Sequence, residues 1–392
     1  MGSNLRRFSH WFMVVSSLWA LALPRMVLDA KGILEMRDCP DSQVVKYNLQ
    51  KRSEEGTHAE MWFMLGSRAL SKLHVLLLVV CIVVALIVVA VLSRQPTQNT
   101  QPPPTRESAI PTGAVKMAPE TDELPPVLHS DEWMQPVPLS LAINTAGGED
   151  SPFVMPDGNT LYFFFTPNVT VPVEKQLLDG VTGIYVSKKQ NGVWGAAERV
   201  LLQDSGKLAL DGAEFVQGNV MWFASAREGY TGVNLFTADF VSGKWTNWQY
   251  VGDKLMKDYQ VGEMHITADG NELYFHSARA GGEGQLDIWV TRKMSGEWQE
   301  PVNVEAVNTA ENEGWPFISQ DGNELWFLRT YMGSPAIYRS VKANGNWSTP
   351  EPIVSQFAGE PTLDNEGNLY FVHHYYKNSK MIEADIYVAH KK

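Results

Sequence analysis

Along the C-terminal two thirds of this chain a carboxylate stands, five times, just before or at the start of a short apolar run. The positions are Glu149 with Asp150, then Glu214, Glu263, Glu313 and Glu360. If each run is a strand lining one channel, the acids ring its mouth. Carboxylates that close repel unless they are paired, protonated or bridged by a cation. One chemistry is a polar or cationic ligand, or a Ca2+-like ion, held at the mouth. Another is hydrolysis of a glycan, with Glu263, Glu313 or Glu360 as acid or base. The plainer alternative is that each carboxylate accepts hydrogen bonds from backbone N–H groups or from an arginine of a neighbouring unit, a role that suits Arg227 and Arg279.

Residues that interrupt a repeated pattern mark a site better, because the fold does not demand them. His265 lies two residues after Glu263, so in a strand both side chains face one way. Trp315 stands beside Glu313, Arg329 replaces a recurring Ser, and His373 and His374 occupy positions that are Ser or Ala elsewhere. Glu, His, Trp and Arg gathered about one axis suit sugar or peptide binding. Tyr162, Tyr274, Tyr370, Trp222 and Trp326 read instead as packing between units. The chain has no Gly-x-Ser-x-Gly, no phosphate loop, no His-Glu-x-x-His and no paired-cysteine motif.

The elements that must position these residues recur. Residues 262–304 read as four strands: 264–268, a tight Asp269-Gly270-Asn271 turn, 272–277, a Gly-rich turn, 287–292, and a short strand opened by Trp298. The strand–turn–strand core returns at 152–163, 214–223, 313–327 and 360–371. The third strand returns as Gly183-Ile-Tyr, Asn234-Leu-Phe, Ala336-Ile-Tyr and Asp385-Ile-Tyr. Gly-x-Trp returns at Trp194, Trp245 and Trp347, but the fifth copy ends before it. The missing piece lies at the other end: Glu132-Trp133-Met-Gln-Pro136-Val matches Glu297-Trp298-Gln-Glu-Pro301-Val. The sequence therefore predicts an all-β fold, a five-bladed β-propeller over 128–392 closed by an N-terminal strand.

Asp-Gly-Asn-x-Leu-Tyr-Phe, with Ser225-Ala-Arg227, Ser277-Ala-Arg279 and Asp287-Ile-Trp, resembles the WD40-like (PD40) repeats of the TolB type found in envelope proteins. The resemblance covers residues 132–392. It implies a propeller that associates with protein or cell wall, and no single chemistry.

Ahead of the repeats, residues 73–92, from Leu73 to Leu92, are apolar and uncharged, long enough to span a bilayer as a helix. Arg68 and Lys72 precede them, which predicts a single-pass anchor over 64–94 with the propeller on the extracytoplasmic side. Residues 1–63 read as an extension that is disordered or not translated. Residues 95–127 are Pro-rich and read as an extended spacer without a packed core. Residues 132–392 carry 19 basic and 32 acidic residues, a net charge of −13, which excludes nucleic acid held by phosphate contacts. Both cysteines, Cys39 and Cys81, fall outside it, so its stability rests on its core rather than on disulfides. The expected function is a membrane-anchored module binding a protein or glycan at the channel mouth; a carbohydrate-active hydrolase is the alternative.

Overall fold

The structure, a computed structural model, describes residues 26–28, 34–36, 104–204 and 206–392. The expected membrane span at 73–92 and nearly all of the 1–63 extension lie outside these residues. Among the described residues no helix is long and apolar enough to cross a membrane. The two short N-terminal segments, Met26–Leu28 and Leu34–Met36, pair antiparallel.

From residue 148 onward the chain is mostly antiparallel sheet, with one parallel pair, Ala384 opposite Gly148. Five units follow one another, each starting with a strand at the centre: Gly148–Val154, Ala209–Gln217, Met264–Ile266, Glu313–Ile318 and Ala358–Leu363. Each pairs with a second strand, and that strand with a third. The hairpins form where Asp-Gly-Asn was read. Gly158, Gly270 and Gly322 adopt φ of 68, 74 and 71°, which glycine takes without a Cβ penalty. Asp157, Asp269 and Asp321 each accept the N–H of the Asn two residues on, at 2.9, 3.0 and 3.0 Å. The second strands bury one equivalent phenylalanine each: Phe163, Phe223, Phe275, Phe327 and Phe371 are all 0% exposed.

The ring closes as the sequence predicts. Val137–Pro138 pairs with the last strand, Lys380–Ala389, placing Val137 opposite Val388, and Trp133 bridges to Lys391. The tryptophans of the outer strands hold neighbouring units together. Trp245 meets Tyr162, Trp194 meets Tyr370 and Trp347 meets Tyr274, each edge to face. These contacts confirm that Tyr162, Tyr274 and Tyr370 are inter-unit packing.

One expectation is corrected here. The Pro-rich stretch from residue 105 on does not stand off the sheets. Its regular elements are short, a helix at Arg106–Ala109 and a 3-10 turn at Pro119–Thr121, and its charged side chains find buried partners. Arg106 is 5% exposed and donates to the carbonyls of Ile143 and Ala142 at 2.7 and 2.9 Å. Lys116 pairs with Glu383 and Asp385, and Asp122 meets His373 at 2.9 Å. Val127–Leu128 then adds a strand to the outer edge of unit four, opposite Ser355 and Val354. The segment is a strap across units one, five and four.

Candidate functional site at the ring centre

The registers show that the five acids are not equivalent. Phe153, Phe215, His265, Phe317 and Thr362 each lie opposite the same aromatic position of the second strand: Tyr162, Trp222, Tyr274, Trp326 and Tyr370. Counted back from that point, Glu149 and Glu313 fall four residues earlier, Asp150 three, Glu263 and Glu360 two, and Glu214 one. In a strand, successive positions face opposite ways, so these differences send the carboxylates to different places.

Glu149 and Glu313 leave the centre. Glu149 accepts from Thr145 N and Oγ1 at 2.9 and 2.7 Å and lies 3.6 Å from the Arg106 guanidinium. Burial pushes it up to about 8 against those partners. Glu313 repeats the pattern with Thr309 N and Oγ1 at 3.0 and 2.6 Å and Arg329 Nε at 2.6 Å. Arg329 also donates to the Val307 carbonyl and lies over Phe327 and Tyr338. These acids are clamps at a strand end, which is the plainer role, and Arg329 is part of one clamp. Arg227 holds Asp211 in unit two at 2.7 Å. Arg279, expected in the same role, instead lies over Tyr259 and Trp289 and 3.9 Å from Glu300.

The centre is built by a bulge. In units one, two, four and five the register skips two residues after Asp150, Gly212, Gly314 and Gly359. The next residue, Ser151, Ala213, Trp315 or Glu360, takes φ of 47, 50, 52 or 53°. That left-handed backbone is costly for a residue with a Cβ, and its recurrence marks it as a device of this fold. Together with Glu263 these residues line one cavity of about 60 Å³, where Glu214, His265, Phe153, Phe215 and Phe317 also face.

Glu214, Glu263 and Glu360 line that cavity, and Asp150 stands beside it, hydrogen-bonded to Glu360. Burial would raise Asp150, but His374, whose Nε2 lies 3.6 Å from its Oδ2, and the Ser151 N–H at 3.0 Å outweigh it and hold the group low. Glu360 is pushed well above the carboxylate range by burial and by the charges of Asp150 and Glu263, and it shares a hydrogen bond with Asp150. Glu263 is raised to about 8 by burial and by Asp150. Glu214 is raised well above its ordinary value, chiefly by burial, and both its carboxyl oxygens are buried without a partner. The centre therefore sets Asp150, held low, against Glu263, raised to about 8, and against Glu360 and Glu214, which are also raised. Among the described residues no group of three His, Cys, Asp or Glu is arranged to hold a metal ion.

The histidines divide. His265 lies against Phe317, Phe215 and Phe153, accepts Ile318 N at 3.2 Å, and is pushed down to about 3 by burial. It is a neutral plug beneath the carboxylates. His373 points the wrong way for the role expected of it. It meets Asp122 of the strap and the rings of Tyr375 and Tyr387. His374, one residue on, faces Asp150. The strand period of two makes that choice, and reading which of the pair faces inward required the register. His276 was not singled out in the sequence at all. Its ring nitrogens lie 3.4 and 3.3 Å from the backbone N of Glu263 and of Trp315, and burial pushes it down to about 4. The signal was present: His276 stands where the other second strands have Phe164, Ala224, Leu328 and Val372. A Cβ on Gly262 would come within 2.3 Å of His276 Nε2, so the ring needs glycine there. Trp315 is buried against His276.

No family model matches the chain, and no curated protein does. Solved structures do match. The endo-arabinase from Bacteroides thetaiotaomicron aligns with 65% of this chain and 96% of its own, at 17% identity and a TM-score of 0.41. The Bacteroides ovatus xyloglucan PUL GH43B protein aligns with 65% of this chain and 54% of its own, at 15% identity and a TM-score of 0.39. A xylan β-1,4-xylosidase from Bacillus halodurans gives 64%, 54%, 12% and 0.39. What they share with this chain is a propeller-like fold. The likeness extends neither to the WD40-like repeat family nor to any residue's role.

Proposed function

We propose that the ring centre is an acid–base site that hydrolyses a glycosidic bond. One arrangement carries the proposal: Glu263 and Glu360 line a cavity of about 60 Å³, and Asp150, 3.6 Å from His374, is hydrogen-bonded to Glu360, so that Asp150 is held low while Glu263 and Glu360 are raised. Groups whose environments drive their pKa values apart are the means by which one site supplies both an acid and a base near neutral pH. Glu263, protonated, gives its proton to the departing sugar oxygen. Asp150, ionised, takes a proton from the attacking water. Glu360 holds Asp150 in place through their shared hydrogen bond. The cavity has room for water and little more, so the sugar lies across the mouth.

The test is turnover of arabinan, xylan and xyloglucan oligosaccharides by the full chain. Glu263→Gln and Asp150→Asn should each lower kcat about 10²–10⁴-fold, the usual weight of general acid–base catalysis. Turnover unchanged by either substitution would overturn the assignment.

A second reading is a binding module for a protein or glycan. It is favoured by the size of the cavity, which is far below the roughly 300–1,000 Å³ of sites that enclose a ligand. Binding of those oligosaccharides without turnover would select it. Either reading is compatible with an anchor at 73–92 displaying the ring outside the membrane, which protease protection of the full chain in sealed vesicles would test.

A further inference from the structure

A second cavity, about 460 Å³, lies at the outer edges of units one and two. It is lined by Leu201, Leu202, Gln203 and Asp204 from the end of unit one and by residues 245–248 of unit two. It forms where unit two departs from the repeat. In units one, three and four the outer strand is split after Gly-x-Trp: Val193–Trp194 from Glu198–Arg199, Glu297–Trp298 from Val302–Asn303, and Asn346–Trp347 from Glu351–Ser355. In unit two it runs unbroken over Lys244–Tyr250. Its pairing with the third strand skips Asn247, at φ 53°, and Trp248, and this bulge brings a second indole, Trp248, to the edge beside Trp245.

Both indoles are fixed from behind. Trp245 lies 4.9 Å from Phe240 and 6.2 Å from Tyr162. Trp248 is backed by Phe236 at 5.8 Å and by the Arg227 guanidinium at 4.5 Å, and its Nε1 donates to Asp204 Oδ1 at 3.2 Å. Walls already ordered cost a ligand little entropy. Polar atoms remain available between them. Gln203 lines the cleft half-buried. Asn247 reaches only a 3.5 Å contact with Asp239.

We propose that this cleft binds a short neutral oligosaccharide, with Trp245 and Trp248 as its apolar walls and Gln203, Asp204 and Asn247 as hydroxyl partners. The volume falls within the usual range for a small-molecule site. Flat aromatic walls suit the C–H face of a sugar ring, and amides suit its hydroxyls. No lysine or arginine lines the cleft and Asp204 does, which rejects anions. Asp204 is the only carboxylate among its lining residues and is already engaged by an indole, so a cation gains little. The cleft is separate from the ring centre and stands whether or not the centre is catalytic.

The test is calorimetric titration of the full chain, and of Trp248→Ala, Gln203→Leu and Glu263→Gln, with arabino- and xylo-oligosaccharides. Thermal melting checks that each variant is folded. Gln203→Leu, which removes no packed ring, covers the case in which Trp248→Ala fails to fold. Affinity should fall about tenfold or more in Trp248→Ala and Gln203→Leu relative to the unsubstituted chain. Affinity lost in Glu263→Gln but kept in the cleft variants would place the ligand at the ring centre, overturning this proposal and leaving the hydrolase reading standing. No heat of binding with any of these sugars at millimolar concentration would overturn the cleft proposal outright.

Discussion

Trp133 and Trp326 meet edge to face, their ring centroids 5.5 Å apart and their planes at 88°. The contact joins the N-terminal closing segment to unit four, as Trp245 joins unit two to unit one. Trp133 also donates from Nε1 to the Gly367 carbonyl at 2.9 Å and carries the Lys391 ammonium 3.7 Å above its ring. It thus fills the Gly-x-Trp position that the fifth repeat lacks.

Closure predicts a large effect from one side chain. Trp133→Ala should destabilise the domain by about 3–5 kcal/mol, the usual range for emptying a buried tryptophan site. Denaturant unfolding of the full chain measures this; an unchanged midpoint would mean that the ends are not stapled through Trp133.

The strap makes a second prediction. At pH 9, where Glu149 is ionised, Arg106→Ala leaves that carboxylate buried without its guanidinium and should cost about 3–5 kcal/mol. In a Glu149→Gln background the same substitution should cost less, because no carboxylate remains to be stranded. Thermal melts of the four proteins give the coupling, and strictly additive losses would show that the two residues do not act as a pair.

Stability should depend on pH with a definite sign. Glu149 and Glu263, raised to about 8, and Asp385, raised to about 7, are all pushed up by burial. The native state therefore binds protons that the unfolded chain, with ordinary carboxyls, has released. Stability from these groups is full below about pH 4 and is lost as pH rises through 7 to 8. Glu132 opposes at the acid end, held near 2 by Arg339 and Lys391 despite partial burial. The melting temperature should thus decline between pH 5 and pH 9. Glu263→Gln should flatten that decline; an identical slope would contradict the assignment.

The two adjacent histidines should separate stability from catalysis. His374→Ala removes the partner that holds Asp150 low, so the acid limb of the rate–pH profile should move to higher pH. His373→Ala breaks the Asp122 contact and should lower the melting temperature while leaving that limb in place. A shift of equal size in both variants would show that the register assigned to Leu369–Lys377 is wrong.

Much of this architecture was legible because repetition is a strong signal. The Asp-Gly-Asn turns, the buried phenylalanines and the match of Trp133 to Trp298 each carry local chemistry that reads directly from sequence. The centre was legible only in part. Its acids were visible as a set, yet the bulge at Ser151, Ala213, Trp315 and Glu360 shifts the register by residues that look alike in one dimension. That shift sends Glu149 and Glu313 to clamps and Glu360 to the centre. The strap was misread because proline content indicates a lack of regular structure, whereas the docking comes from Arg106, Lys116 and Asp122 finding partners more than 30 residues away in sequence.

The most direct test of the central claim is a pH titration of the side-chain carboxyls of the full chain by carbon-13 NMR, wild type against Glu263→Gln. The account predicts a glutamate carboxyl titrating near 8 that vanishes in the variant, with Asp150 ionised throughout the neutral range. A spectrum in which every carboxyl titrates below about 5, in the ordinary carboxylate range, would contradict it.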